Sequence, residues 1–298
     1  MSLPKMIAVV GTNASGKSSL SVELARALGG EVISADSRQV YRGLDLGSGK
    51  ITEAEMQGVP HHLLDVIDPG TFFTMADFQR MAYAAIDDIL SRGHLPVMAG
   101  GTGLYVDSVT KGYCLSDVEP DLKYRDELEK LTTPELYDML MEKVPDAVVD
   151  RFNRNRVMRM LEKLHDGDDI VPTASPRYDV LTIGIYRERE ELKRRIDERL
   201  TRREAEGMLE EVRGLRRQGV SDEFLLKLGL EYRYITEYLT GVWCSEEEML
   251  NELALAIKRF AKRQMTWFKR DQSIVWLNMN DKPFETALTL IKNFLEAE

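Results

Sequence analysis

Gly11-Thr12-Asn13-Ala14-Ser15-Gly16-Lys17-Ser18 has the spacing Gly-x-x-x-x-Gly-Lys-Ser, which suits one chemistry, the binding of a di- or triphosphate-like anion. The glycines let the chain fold back so that several backbone N–H groups point into one concavity. A helix starting there turns its positive end to the same spot. Lys17 adds a mobile cation, and the Ser18 hydroxyl can ligate Mg²⁺. The flanks agree: Met6 to Val10 reads as a short buried strand, and Leu20, Val22, Leu24, Ala25 and Leu28 keep a helical period until Gly29-Gly30. The motif leaves open whether the anion belongs to a nucleotide.

Asp36 is the next candidate. It follows the apolar stretch Val32 to Ala35, at the end of a strand where open parallel sheets place ligands. A carboxylate beside a polyanion and Mg²⁺ can bind the metal or act as a general base; its ordinary role would be to cap the next turn. Asp65 and Asp68 are weaker candidates to hold a metal or support its ligands, and His61 and His62 could touch substrate, although such a pair is more often structural. Gly100-Gly101-Thr102-Gly103 follows the apolar Pro96 to Ala99 and suggests a second close approach of backbone to ligand.

Three basic groups stand out from a net charge of −10. Arg151, Arg154, Arg156 and Arg159 form one. Arg187, Arg189, Lys193, Arg194, Arg195, Arg199, Arg202 and Arg203 form another, interleaved with acids as on a solvated helix face. The third runs from Lys258 to Arg270 without an acid and embeds Trp267 and Phe268. It fits either a phosphate-rich partner or two core aromatics among solubilising lysines.

The elements that must position these groups alternate strand and helix as far as residue 113. After the expected strand at His61 to Pro69, Thr74 caps a helix over Ala76 to Ser91. From Cys114 the chain becomes charged and helix-like, over Asp121 to Glu142 and the basic Asn153 to Leu164, with Pro145 and Pro172 as punctuation. Tyr178 to Tyr186 returns to β. Helices are expected over Glu190 to Gln218, Asp222 to Leu239, Glu246 to Arg270 and from Pro283, with a strand at Ile274 to Leu277. The fold class is therefore α/β, a P-loop NTPase-like parallel sheet core flanked by helices with a helical insertion domain. The core takes 1–113 and 177–298, and the insertion 114–176.

At 298 residues and 43% hydrophobic content, the chain can bury a full core. The acidic total excludes a protein that coats nucleic acid indiscriminately but leaves room for a basic groove. Two distant cysteines read as free thiols, no run is long and apolar enough to span a bilayer, and the expectation is a cytoplasmic monomer.

The motifs together are more specific than any one. Gly11 to Ser18, Ile33-Ser-Ala-Asp-Ser-Arg-Gln-Val-Tyr41, His62-Leu-Leu-Asp65, Asp68-Pro69, Gly100-Gly-Thr-Gly-Leu-Tyr105 and Ala261-Lys-Arg-Gln-Met-Thr-Trp-Phe268 occur in this order and resemble the tRNA dimethylallyltransferase family. Arg156-Val-Met-Arg159 and Gly207-Met-Leu-Glu-Glu-Val212 resemble it as well. The resemblance implies transfer of a dimethylallyl group from its diphosphate to N6 of the adenosine just 3′ of the tRNA anticodon. It implies that Gly11, Thr12, Asn13, Ala14, Ser15, Gly16, Lys17 and Ser18 hold the donor's diphosphate, with Mg²⁺ on Ser18. Asp36 matches the catalytic aspartate, with Lys17, Thr102 and Arg199 as further catalytic groups, Arg199 at the diphosphate. Asp36, Ser37, Arg38, Gln39 and Thr102 match positions at the target nucleotide. Lys123 matches a tRNA-contacting position in the insertion that grips the anticodon stem-loop, and Lys262 and Arg263 are the basic tRNA candidates of the third group. The chain departs from the family's pattern at Asn13, where Thr is usual, at Gly229-Leu-Glu-Tyr-Arg233, and at Phe152-Asn-Arg-Asn-Arg156. Competing readings are an adenylate prenyltransferase of the cytokinin type, a P-loop kinase of a small metabolite with Arg189 to Arg203 as its lid, and a non-enzymatic tRNA-binding module.

Overall fold

In β1 (Lys5–Gly11) the pleat sends Met6 and Val10 to one face and Ile7 and Val9 to the other, and all four are fully buried. A strand apolar on both faces must lie inside a sheet covered on both sides, and β1 does. The computed structural model describes residues 3–115, 121–167 and 174–297. Its six-stranded sheet has the order β3-β2-β4-β1-β5-β6, every pair parallel. The strands are β2 (Gly30–Ala35), β3 (His61–His62), β4 (Leu95–Gly100), β5 (Asp179–Tyr186) and β6 (Val275–Asn278). Because the chain leaves β1 for β2 and returns to place β4 between them, the crevice at their carboxyl ends is a topological switch point, where such sheets take ligands.

On one face of the sheet pack α1 (Lys17–Leu28) and the last helix, α13 (Phe284–Glu296). On the other pack α3 (Met75–Ser91) and α4 (Gly103–Thr110), which follow the short α2 (Glu53–Met56). A third apolar core joins α8 (Arg189–Ala205), α9 (Met208–Arg217), α10 (Asp222–Leu228), α11 (Leu230–Leu239) and α12 (Glu246–Phe268). The chain divides into two compact units, Met1–Gly112 with Pro176–Glu298, and Tyr113–Ser175. The second, considered by itself, holds α5 (Leu122–Glu129), α6 (Thr133–Lys143) and α7 (Arg154–His165) around Leu128, Leu136, Leu140, Val157 and Leu161. Pro172 lies outside the described residues.

Four expected elements are broken, each for a local reason. The strand at His61 to Pro69 stops after two residues because Leu63 and Asp65 take positive φ (63° and 54°); Ile67 returns only as a bridge to Tyr41. The long helix over Glu190 to Gln218 ends at Ala205 and restarts after Gly207, whose φ of 101° no helix continues through. The helix over Asp222 to Leu239 is interrupted at Gly229, where a side chain would meet Arg38 Nε at 2.7 Å. The expected helix over Asp121 to Glu142 is likewise two, with Thr132 and Glu135 forming a capping box at the start of α6.

Candidate active site

The phosphate-binding loop keeps the geometry its sequence asks for. At Gly11 a side chain would press on Ile185 O at 2.8 Å, so the loop leaves β1 tight against β5. Ala14 (φ 59°) and Gly16 (φ 103°) are both left-handed, which curls the backbone into a concavity. Ser15 is buried, and its hydroxyl has no partner among the described residues. Lys17 opens α1 and lays its ammonium 3.4 Å from Thr12 O. Burial lowers the Lys17 pKa to about 8; Asp36 acts against that shift, while Arg199 and Arg203 add to it. A helix start, a converging backbone and a desolvated cation make an anion site.

The carboxyl end of β2 delivers Asp36 beside this loop. Its Oδ1 accepts from Arg38 N at 2.9 Å, so the capping role is present as well. Thr102, after β4, accepts from Ser37 N at 3.2 Å and donates its own N–H to Ala35 O at 3.3 Å, locking the two strand ends together. Gln39 accepts from Ser34 Oγ (3.0 Å) and donates to Gly49 O (3.2 Å).

The glycines at the end of β4 are packed closely by protein. A side chain at Gly100 would collide with Ala35 O (2.3 Å), at Gly101 with Gln264 Nε2 (2.6 Å), and at Gly103 with the Trp267 ring (2.2 Å). They make room for β2 and for α12. Gln264 then ties three pieces together: its Oε1 accepts from Asn13 N at 2.9 Å and its Nε2 donates to Gly101 O at 2.9 Å. Sequence reasoning gave Gln264 no role of its own. Asn13, the departure in the loop, is thus held through its backbone, with its side chain 3.4 Å from Gln264 Nε2.

Residues four apart share a helix face, and α8 turns Arg195, Arg199 and Arg203 towards the loop. Arg195 Nε donates to Ala14 O (3.1 Å), Arg199 Nη2 donates to Gly49 O (3.1 Å), and Arg203 faces Glu231 at 3.7 Å. Arg187, just before the helix, donates to Ser15 O at 2.9 Å. Burial pushes the Arg199 pKa down to about 9, and Arg203 beside it adds to the shift. The outward residues behave as a solvated face: Arg194 pairs with Glu191 and Glu198, and Lys193 with Glu190. The segment Asp45–Gly49 that meets Arg199 is clamped from behind. Glu211 accepts from the backbone N–H groups of Asp45 (2.9 Å), Leu46 (2.6 Å) and Gly47 (3.1 Å) and from Tyr232 Oη (2.8 Å), and Ser48 N donates to Tyr232 Oη at 3.1 Å.

Two cavities meet along this arginine wall. One, of about 320 Å³, is bordered by Asp36, Thr102, Arg38, Glu231 and Arg263, with an apolar side from Ile257, Phe260 and Leu230. The other, of about 630 Å³, is bordered by Gly16, Lys17, Ser18, Arg195 and Arg202. Arg199 and Arg203 border both. Asp36 therefore borders one of two cavities joined by these arginines, and Lys17 and Ser18 border the other.

Other expected groups lie elsewhere. Asp65 pairs with Lys50, and Asp68 with Arg42 at 2.8 Å, and among the described residues no group of three His, Cys, Asp or Glu could hold a metal. His62 Nε2 meets buried Glu31 at 2.7 Å, and His61 Nδ1 meets Val59 O at 2.8 Å; both are structural contacts, although His61 also edges the small space beside Ser18. Lys123, exposed at the start of α5, belongs to the Tyr113–Ser175 unit, as do the α7 arginines. There Arg154 donates to Leu131 O, Leu128 O and Glu129 O, closing the end of α5. Phe268 is core, and Trp267 Nε1 donates to Asp107 at 3.0 Å, whereas Lys262 and Arg263 are exposed on α12.

A family model described as IPP transferase matches residues 39–271. The chain is 43% identical to the tRNA dimethylallyltransferase 2 of Citrifermentans bemidjiense, over 97% of this chain and 95% of that one. It is 40% identical to the tRNA dimethylallyltransferase of Halalkalibacterium halodurans, over 98% and 96%. Among solved structures, the full-length tRNA isopentenylpyrophosphate transferase of Bacillus halodurans superposes with a TM-score of 0.74 at 39% identity, covering 98% of this chain and 95% of that one. A eukaryotic dimethylallyltransferase acting on tRNA gives 0.83 at 25% identity, covering 98% and 79%. With identity running over nearly its whole length and the parallel sheet shared, this chain belongs to the IPP transferase family.

Proposed function

We propose that this protein transfers the dimethylallyl group of dimethylallyl diphosphate to N6 of the adenosine 3′ of the anticodon in tRNA, releasing diphosphate. The observation that carries the reading is the shared wall. Asp36 and Thr102 border one cavity, Gly16, Lys17 and Ser18 border the next, and Arg199 and Arg203 border both. An acceptor amine and a diphosphate leaving group have to approach one carbon from opposite sides, and this arrangement has a place for each.

An exocyclic adenine amine is a weak nucleophile because its lone pair is delocalised into the ring. Asp36 accepts a hydrogen bond from N6–H and takes that proton as the new C–N bond forms and the C–O bond to diphosphate breaks. Thr102 fixes the turn that aims Asp36. The negative charge growing on the leaving diphosphate is met by the loop amides, Lys17 and Arg199, already desolvated and in place, so the interaction strengthens towards the transition state. The base must leave its stack to reach the carboxylate at the end of β2, which an anticodon loop permits more cheaply than a duplex. Ser37, Arg38 and Gln39 stand at the target base, and Lys123, Lys262 and Arg263 serve the RNA backbone.

Mg²⁺ fits this reading. The Ser18 hydroxyl and the Asp36 carboxylate border one space of about 20 Å³, hard oxygen donors of the kind Mg²⁺ shares with phosphate and water. Among the described residues no cluster of three His, Cys, Asp or Glu side chains could hold a metal, so Ser18, Asp36 and the diphosphate itself would be its partners. When bound, the ion neutralises charge on the diphosphate. The reading takes the chain as a cytoplasmic monomer; no helix among the described residues is long and apolar enough to cross a membrane.

The test is one labelled-transfer experiment. Purified protein, Mg²⁺ and radiolabelled dimethylallyl diphosphate are given unmodified tRNA, or AMP in its place, and a parallel tube receives γ-labelled ATP without the prenyl donor. Label in the tRNA, mapped to the adenosine after the anticodon, is expected. Label in AMP alone, or consumption of ATP without prenyl transfer, overturns the reading.

A further inference from the structure

Arg203 is 8% exposed, yet its Nη2 has no hydrogen-bond partner among the described residues. Its Nη1 stands 3.7 Å from Glu231 Oε1, an ion pair too long for a hydrogen bond. Leaving a buried donor unmet is costly, more so when it carries charge. Arg203 is also crowded by a like charge. A methyl placed on Gly49 would lie 1.4 Å from Arg203 Nη2 and 1.9 Å from Arg199 Nη2, so two guanidinium groups converge on one spot. Lys17 is close enough for both to lower its pKa. Three cations in a desolvated corner, one with a donor unmet, are stable company only for an anion.

We propose that Arg203 is a second diphosphate-binding arginine: its Nη2 joins Arg199 on the phosphate oxygens of the leaving diphosphate, while Glu231 holds its guanidinium in place. The inference rests on the reading that the loop holds the donor's diphosphate. It adds a residue that the motif resemblance does not assign. It also gives a use to Glu231, which belongs to the turn Gly229-Leu-Glu-Tyr-Arg233 where this chain departs from the family pattern. Diphosphate is favoured over an RNA phosphate because Arg203 is buried and borders the cavity of Lys17 and Ser18, whereas exposed Arg263 borders only the cavity of Asp36.

The experiment titrates inorganic diphosphate into the full chain by calorimetry, for the wild type, Arg203→Met, Arg203→Lys and the double variant Arg203→Met/Glu231→Gln. The double variant avoids leaving Glu231 buried without its cation, and thermal melts confirm that each protein is folded. Losing hydrogen bonds to a charged group predicts roughly 10- to 100-fold weaker diphosphate binding in both Met variants. KM for dimethylallyl diphosphate should rise with it, and affinity for an anticodon stem-loop RNA should stay unchanged. Lys should recover only part of the loss, being a point charge without the planar fork. A folded double variant that binds diphosphate like the wild type overturns the proposal, as does a loss confined to RNA. A wild type that fails to bind diphosphate overturns the donor-site reading and this inference together.

Discussion

Helices α8 and α12 look alike as strings of basic residues, but the fold uses them in opposite ways. On α8 the outward cations are neutralised by acids three or four residues away, and the inward ones reach Ala14 of the phosphate-binding loop and Gly49. On α12 the inward groups are Gln264 and Phe268, with Trp267 half-buried against Asp107, while Lys262 and Arg263 are left on the surface. Burial separates the two. A cation moved out of water interacts strongly and at short range with one bound anion. A cation left in water contributes long-range attraction that salt screens. The first arrangement suits a leaving group and the second suits an RNA backbone.

The sharpest way to break this comparison is to remove the carboxylate beside the buried cations. Asp36→Ala should cut turnover by roughly 10²–10⁴, as for a lost general base, with little change in tRNA affinity. If the variant turns over at the wild-type rate, Asp36 only caps its turn and the buried side of the comparison loses its base.

Where the sequence was legible, short-range geometry decided the outcome. Eight consecutive residues determine the loop, and the strand that ends before Asp36 places it at the crevice. What was not legible depends on which face of a helix the rest of the chain buries. The spacing of Arg195, Arg199 and Arg203, alternating with buried Ile196 and Leu200, was the available signal, but the interleaved acids describe the outward face equally well. Gln264 was hidden for the same reason, since its value comes from the loop and the β4 turn meeting it across 251 and 163 residues. The Gly100 to Gly103 turn announced a close approach without saying that α12 makes it.

A smaller effect tests the buried side of the comparison through pH. Burial holds Lys17 at about 8 against its ordinary 10.5, so between those values the unfolded chain binds a proton that the folded chain does not. Stability from this group therefore rises with pH across that window, and below it the full penalty stands. Lys17→Met should raise the melting temperature of the unliganded protein at pH 7, by an effect of at most about 3 kcal/mol, and the gain should shrink by pH 10. The same substitution should abolish diphosphate binding. An equal gain at both pH values would mean that the charge of Lys17 is not held at a cost, and the desolvated corner would lose its central cation.

The smallest expected effect probes the exposed side. Lys262 is in water on α12, and Arg263 lies over the Phe260 ring (5.5 Å) at the rim of the cavity that contains Asp36. Replacing both with Gln should flatten the dependence of log K for tRNA on log salt by about 2, near one for each phosphate no longer neutralised. The affinity loss should be largest at low salt and fade as salt rises, while turnover at saturating tRNA stays close to wild type. An unchanged slope would make these two residues an ordinary solvated face, like the outward side of α8. A fall in turnover at saturating tRNA would instead place Arg263 among the groups that orient the target base, and the division between buried chemistry and exposed attraction would then run through α12 itself.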